Sequence, residues 1–181
     1  MARILGIDAS TTTIGICILN CDDSKPILEH YEFYKPKKKE NLFFMLSAVR
    51  KYIIELINKH KPDIVVIEDI LKFIRGRSTA NTITLLAALN RTVGTAVYDS
   101  SGKYPKLLTV MKIRHAVKLT KDLPDKDQIP DIMSKRLGID FPYVYTRKKT
   151  IAKESYDIAD SIAVAFAYYL INTVNKKRKK V

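Results

Sequence analysis

The run Arg3-Ile4-Leu5-Gly6-Ile7-Asp8 constrains the fold more than any other stretch of the chain. Ile4, Leu5 and Ile7 read as a buried strand, and that strand ends on a carboxylate, Asp8. Ser10 to Thr13 suit a tight turn, and Ile14 to Leu19 reads as the returning strand of a hairpin. A carboxylate at the end of a core strand costs free energy unless something pairs with it. Capping of the turn by the Asp8 side chain is one resolution. Convergence with other acids around a cation is another, and it requires partner carboxylates elsewhere in the chain.

Ile27 to Tyr34 reads as a third strand, which gives the fold an antiparallel start. Leu42, Met45, Leu46, Val49, Ile53, Leu56 and Ile57 recur at helical spacing, so an amphipathic helix is predicted over about 40 to 60. After Pro62, Ile64-Val65-Val66-Ile67 ends in Glu68 and Asp69. Four β-branched apolar residues in a row predict a strand buried on both faces, hence parallel, with Glu68 near its C-terminal end. In open α/β sheets, sites form at that end of such strands.

A basic loop holding Phe73, Arg75 and Arg77 follows, and Ser78 or Thr79 is expected to cap a helix over about 79 to 98. Gly94, with Ala87 and Ala88, is expected to let that helix pack closely. Lys106 to Met111 reads as a strand, and Lys112 to Lys121 as a basic segment with Lys112, Arg114, His115 and Lys118. A short helix is predicted over about 125 to 137, with Pro130 in its first turns, where a missing N–H is tolerated. Residues 138 to 152 read as irregular and carry Arg147, Lys148 and Lys149. A last helix is predicted over about 153 to 174. On it Asp157 and Asp160, three apart, are neighbours on one face. His30 and His60 fall in surface contexts and receive no role.

Charge points to the partner. The 181 residues carry 32 Lys+Arg against 19 Asp+Glu, a net charge of +13. Without the five cations of Lys176-Lys177-Arg178-Lys179-Lys180 the body still holds +8. A polyanionic partner is expected, and nucleic acid is the commonest one. The length suits one domain over 1 to 174, with a disordered basic tail over 175 to 181. No run approaches the ~18 apolar residues of a membrane span, and Asp8 breaks any signal-peptide pattern. Cys17 and Cys21 make no disulfide framework and no zinc site, which fits a reducing, cytoplasmic setting. No Ser/His/Asp or Cys/His pairing stands out as a nucleophile.

Three segments therefore offer acids: Asp8, Glu68, and the pair Asp157 and Asp160. If the two strands are neighbours and the last helix packs across them, four carboxylates meet. They cannot all stay ionised there without cations. Divalent metal resolves this, and Mg²⁺ prefers hard oxygen ligands. Two such ions would activate water and stabilise a leaving oxygen in phosphodiester cleavage.

With these pieces in order, the sequence resembles the RuvC family of Holliday junction resolvases, within the RNase H-like superfamily. The carriers are Ile4-Leu5-Gly6-Ile7-Asp8, Val65-Val66-Ile67-Glu68 and Asp157-Ile158-Ala159-Asp160-Ser161-Ile162-Ala163-Val164-Ala165. The last is similar to the family's Asp-x-x-Asp-[Ala/Ser]-x-Ala-x-Ala. The resemblance implies an α/β fold, a mixed sheet with an antiparallel hairpin start and then parallel strands, flanked by helices. It implies a phage, viral or bacterial crossover junction endonuclease. That enzyme would be a homodimer that resolves four-way DNA junctions by symmetric paired nicks, with two Mg²⁺ per site and Mn²⁺ as a substitute. Asp8, Glu68, Asp157 and Asp160 fall on the family's catalytic, metal-binding positions, and Asp157 takes a slot that is His in some members. Basic DNA-binding positions align with Arg114 and Lys126, with Lys112 and Lys118 as alternatives. Phe73 is the candidate for an aromatic inserted at the junction centre, and Arg75 and Arg77 for further phosphate contacts. No membrane or small-molecule partner is expected.

Other classes stay in view. Gly6-Ile7-Asp8-Ala9-Ser10-Thr11-Thr12-Thr13-Ile14-Gly15 is similar to the phosphate-binding hairpin of sugar kinases and actin-like ATPases, but those proteins need a second domain for which 181 residues leave no room. A catalytically inert nucleic-acid-binding module would not need all four acids. A nuclease for flaps, forks or RNA–DNA hybrids would use the same carboxylates, because they dictate hydrolysis and not substrate shape.

Overall fold

Alternation along the strands decides which side chains can meet. The computed structural model describes residues 2–21, 25–37, 41–70 and 79–178. β1 (Arg3–Ala9) and β2 (Ile14–Asn20) form an antiparallel hairpin, and β3 (Ile27–Tyr34) pairs antiparallel with β2. β4 (Ile64–Asp69) lies parallel to β1, and β5 (Lys106–Thr109) parallel to β4. The order across the mixed sheet is β3-β2-β1-β4-β5. β1 sits near its middle, with Asp8 opposite Gly15 and Ile7 beside Ile67.

Odd and even positions face different layers. Leu5, Ile7, Ile16, Ile18, Val65 and Ile67 are buried under α1 (Leu42–His60) and α2 (Ala80–Ser101). Ile4, Cys17, Leu19 and Val66 point the other way. There they meet α3 (Val110–Val117), α4 (Ile129–Leu137) and α5 (Glu154–Arg178). By the same alternation Gly6, Asp8 and Glu68 belong to the α5 face. Among the described residues no helix is long and apolar enough to cross a membrane.

The helix ends follow local chemistry. Asn41 accepts a hydrogen bond from the Phe43 N–H at 2.8 Å and starts α1. Thr79, one of the two expected caps, starts α2 by accepting from the Thr82 N–H. Gly102, at φ 67°, ends it.

Several expectations are corrected. The strand expected over Lys106 to Met111 stops at Thr109, whose hydroxyl accepts from the Lys112 N–H and starts α3. Ile113 and Val117 then bury one helical stripe, so the first half of the basic segment is helical. Before α4 a single 3₁₀ turn, Lys126–Gln128, carries Lys126, and Pro130 sits in the first turn of α4. Gly94 mediates no close helix packing, since a Cβ there would meet only Pro105 at 3.8 Å. His30 and His60 do not stand free at the surface. Their rings pack against each other, tilted by 31° with centroids 4.6 Å apart, half-buried between β3 and the end of α1. Residues 138 to 152 include a small antiparallel bridge, Tyr145 to Ile151, rather than wholly irregular chain. α5 runs on to Arg178, past its expected end near 174.

Candidate active site

Two glycines bring α5 onto the sheet. A Cβ on Gly15 would collide with the backbone carbonyl of Asp157, and one on Gly6 with that of Ser161. The Gly6 Cβ would also meet the Ala165 Cβ at 2.9 Å. The helix thus lies directly on the β1–β2 hairpin, where only hydrogen fits. The Cys17 thiol, fully buried, donates to the Ser161 carbonyl at 3.2 Å and pins the same crossing.

Since Gly15 is the register partner of Asp8, the first turns of α5 arrive at Asp8. One carboxylate oxygen from each of Asp8, Asp157 and Asp160 lies within 4.8 Å of the others. Asp8 and Asp157 are buried, at 9% and 7% exposure, and Asp160 is partly exposed. Glu68 stands outside that tight trio but lines the same cleft of about 260 Å³, with Asp8, Asp160, Arg114 and Lys126. The Asn90 side-chain amide, buried on α2, donates to the Glu68 carbonyl at 2.9 Å and fixes the end of β4. The turn between β1 and β2 is closed by Ser10, whose N–H donates to the Thr13 carbonyl and whose hydroxyl accepts from the Thr13 N–H. Asp8 is thereby free for the cleft.

The acids pay for their closeness in proton affinity. Burial, then Glu68 and Asp160, pushes the Asp8 carboxyl well above the usual carboxylate range. Burial and Asp160 push Glu68 up to about 7, against the pull of Lys126 and Arg114. Burial also raises Asp160, with Lys126 opposing. The Lys126 ammonium lies 3.2 Å from Asp157 Oδ1 and 2.9 Å from Asp160 Oδ2. Burial works against its charge, but Asp160, Asp8 and Asp157 hold it protonated beyond the ordinary lysine range. Asp8, Glu68, Asp69 and Asp160 line the cleft and Asp157 stands against Asp8 and Asp160, so five carboxylates against the cations of Lys126 and Arg114 leave the fully ionised site three charges negative. A hard divalent cation fits both the charge deficit and the all-oxygen donor set.

The basic residues singled out from the sequence divide. Arg114 and Lys126 line the cleft. Lys112 is exposed on the first turn of α3. Lys118 caps α3, donates to the Lys121 carbonyl at 2.8 Å and lines a separate depression beside Asp122 and Asp125. Phe73, Arg75 and Arg77 lie outside the described residues. Sequence reasoning missed the seating glycines and Asn90. The signal for Asn90 was a lone amide in the buried stripe between Leu89 and Val93.

Sheet order, helix placement and the acidic cleft at the C-terminal ends of β1 and β4 define an RNase H-like fold. No protein-family model matches the chain. Within that fold the chain is similar to proteins named as junction resolvases. It is 28% identical over 166 residues to the crossover junction endodeoxyribonuclease RuvC of Campylobacter hominis, covering 92% of this chain and 94% of that one. Its fold is similar to Thermus thermophilus RuvC in complex with a Holliday junction substrate, with a TM-score of 0.74, 16% identity and 96% of each chain covered. It is also similar to the yeast mitochondrial Holliday junction resolvase, with a TM-score of 0.62, 20% identity and coverage of 99% and 85%. The resemblance to the RuvC family read from the sequence is borne out.

Proposed function

We propose that this chain is a divalent-metal-dependent endonuclease that resolves four-way DNA junctions. The observation that carries the reading is the meeting of Asp8, Asp157 and Asp160 within 4.8 Å at a cleft that Asp8, Asp160 and Glu68 line. That cleft sits on the fold of proteins named as Holliday junction resolvases.

Asp8, Asp157 and Asp160 would hold the cation, with Glu68 completing the acidic wall. Mg²⁺ is the proposed ion, two per site, with Mn²⁺ able to replace it. Bound there, the cation supplies Lewis acidity: it acidifies water and neutralises charge on the phosphodiester. The chain's own residues do the rest. Arg114 and Lys126 present positive charge at the cleft mouth and place a phosphate against the acids. The remaining net charge draws the DNA in and reads no sequence. Lys112 and Lys118 add phosphate contacts farther out; Arg75 and Arg77 are assigned to phosphate binding and Phe73 to insertion at the junction centre. The nuclease unit spans residues 1 to 174, and the basic stretch 175 to 181 adds affinity for phosphates. A homodimer presents two clefts to a branched backbone, so that paired symmetric nicks follow from matched geometry. The reading places the protein in the cytoplasm with the DNA it cuts.

The test sets a mobile four-way junction against a linear duplex and an RNA–DNA hybrid, each with Mg²⁺ and with EDTA. Metal-dependent cutting of the junction alone supports the proposal. Preferred cutting of the hybrid, or equal cutting of junction and duplex, overturns it.

A further inference from the structure

A second basic element precedes the helix that carries Asp157 and Asp160. The Tyr145 to Ile151 bridge closes a short hairpin whose tip is Arg147-Lys148-Lys149. It is a built turn. The Thr146 N–H donates to the Thr150 carbonyl at 2.8 Å, the Lys149 N–H donates to the Thr146 carbonyl at 2.9 Å, and the two threonine hydroxyls lie 2.7 Å apart. Lys149 takes a left-handed conformation, φ 59°, that Gly or Asn adopts more easily. The chain keeps a cation there at a conformational cost. All three tip residues are exposed, and among the described residues none of them forms an ion pair. Residues 141 to 153 contain no acid at all.

The base of the hairpin is locked to the helix that carries Asp157. The Ser155 hydroxyl, fully buried in the first turn of α5, accepts from the Val144 N–H at 2.9 Å and donates to the Val144 carbonyl at 3.1 Å. The Ala152 N–H also donates to that carbonyl, at 2.8 Å. On the other side the Tyr143 hydroxyl donates to Asp131 of α4 at 3.0 Å. From Lys149 to Asp157 is at most five extended residues and one helical turn, so the tip lies no farther than roughly 23 Å from the acids. That is about seven base pairs of a duplex arm at 3.4 Å each.

We propose that this hairpin is a DNA-backbone clamp distinct from the cleft. Arg147, Lys148 and Lys149 neutralise phosphates on the same arm as the phosphate at Asp157, a few nucleotides away. The inference rests on the nucleic-acid reading above and adds to it a DNA-binding element that the sequence alone does not mark. Because the clamp and Asp157 share one rigid support, holding the arm at the tip fixes the register of the strand at the acids.

The experiment measures affinity against NaCl concentration, with Ca²⁺ in place of Mg²⁺ to limit cutting, for a four-way junction and a linear duplex. The variant combines Arg147→Gln, Lys148→Gln and Lys149→Asn, because Asn keeps the left-handed turn. Arg147→Lys serves as the charge-retaining control, and melting temperatures within about 2 °C of the parent verify the fold. Each phosphate that is no longer neutralised lowers the slope of log affinity against log salt by ~0.9, so the triple variant is expected to lose roughly 2 to 3 in slope and on the order of 100-fold in affinity near 0.15 M salt. The control is expected to keep both. If the parent prefers the junction and the triple variant keeps its slope, the clamp is wrong and the resolvase reading stands. If the slope falls equally on junction and duplex and the parent prefers neither, the clamp stands and the resolvase reading fails. If the parent binds neither DNA, both fall.

Discussion

Replacing Glu68 by Gln is expected to stabilise the cation-free protein while abolishing its activity. Glu68 has an ordinary carboxylate pKa of 4.5 when unfolded and about 7 in the fold, raised by burial and by Asp160. The folded state therefore binds a proton more tightly than the unfolded state, and the sign follows. Below about pH 4.5 both states are protonated and the group contributes nothing. Between pH 4.5 and 7 the unfolded chain loses its proton first, so stability falls as pH rises. Above pH 7 the full penalty is present. At pH 7.5 it amounts to roughly 3 kcal/mol, since one pKa unit is worth about 1.4 kcal/mol. Gln has the same shape and no charge. For a chain of this size the gain corresponds to a melting temperature about 6 to 12 °C higher. Thermal melts in EDTA at pH 5 and pH 7.5 give the answer, with Mg²⁺ titrated into parallel samples. The variant should gain at pH 7.5 and lose most of that gain at pH 5. Mg²⁺ should stabilise the parent more than the variant. A variant less stable than the parent in EDTA at pH 7.5, or an equal difference at both pH values, would refute the electrostatic account of the cleft.

Gly15→Ala places a methyl group against the Asp157 carbonyl. It should cost about 3 kcal/mol or more in a chemical denaturation series and should weaken cation binding by moving α5 away from Asp8. Retained stability with retained binding would show that the helix is not seated through this glycine. Lys126→Met removes the ammonium shared by Asp157 and Asp160. Calorimetric titration with Mn²⁺ should show affinity raised about ten-fold, with about 1 kcal/mol lost from the cation-free fold, a modest figure because half of the Lys126 side chain is exposed.

Much of the fold was legible because the strands obey simple alternation. Ile4, Gly6 and Asp8, with Val66 and Glu68, share one face by parity alone. The parallel pairing of β1 with β4 then sets Asp8 and Glu68 at one edge. Asp157 and Asp160 were legible as one helix face. Their distance from Asp8 was not, because it depends on the seating of α5 over Gly6 and Gly15, and a glycine in a strand gives no sign of what approaches it. Helix α3 was hidden because Val110 and Met111 continue an apolar run, and only the Thr109 cap turns the chain. The contact between the His30 and His60 rings was missed because the two residues come from separate elements, and neither stands in an apolar run. The double contact of Lys126 rests on the single 3₁₀ turn before α4, and periodicity carries no signal for so short an element.

The central claim is that the carboxylates around Asp8 form a metal-dependent nuclease centre for branched DNA. The most direct measurement maps the cuts in a four-way junction, each strand labelled in turn, with Mg²⁺, for the parent and for Asp8→Asn. The account predicts nicks at symmetric positions on two opposed strands, lost with EDTA and reduced at least 10²-fold in the variant. Cutting by Asp8→Asn at the parental rate, or junction binding by the parent with no cutting in Mg²⁺ or Mn²⁺, would contradict it.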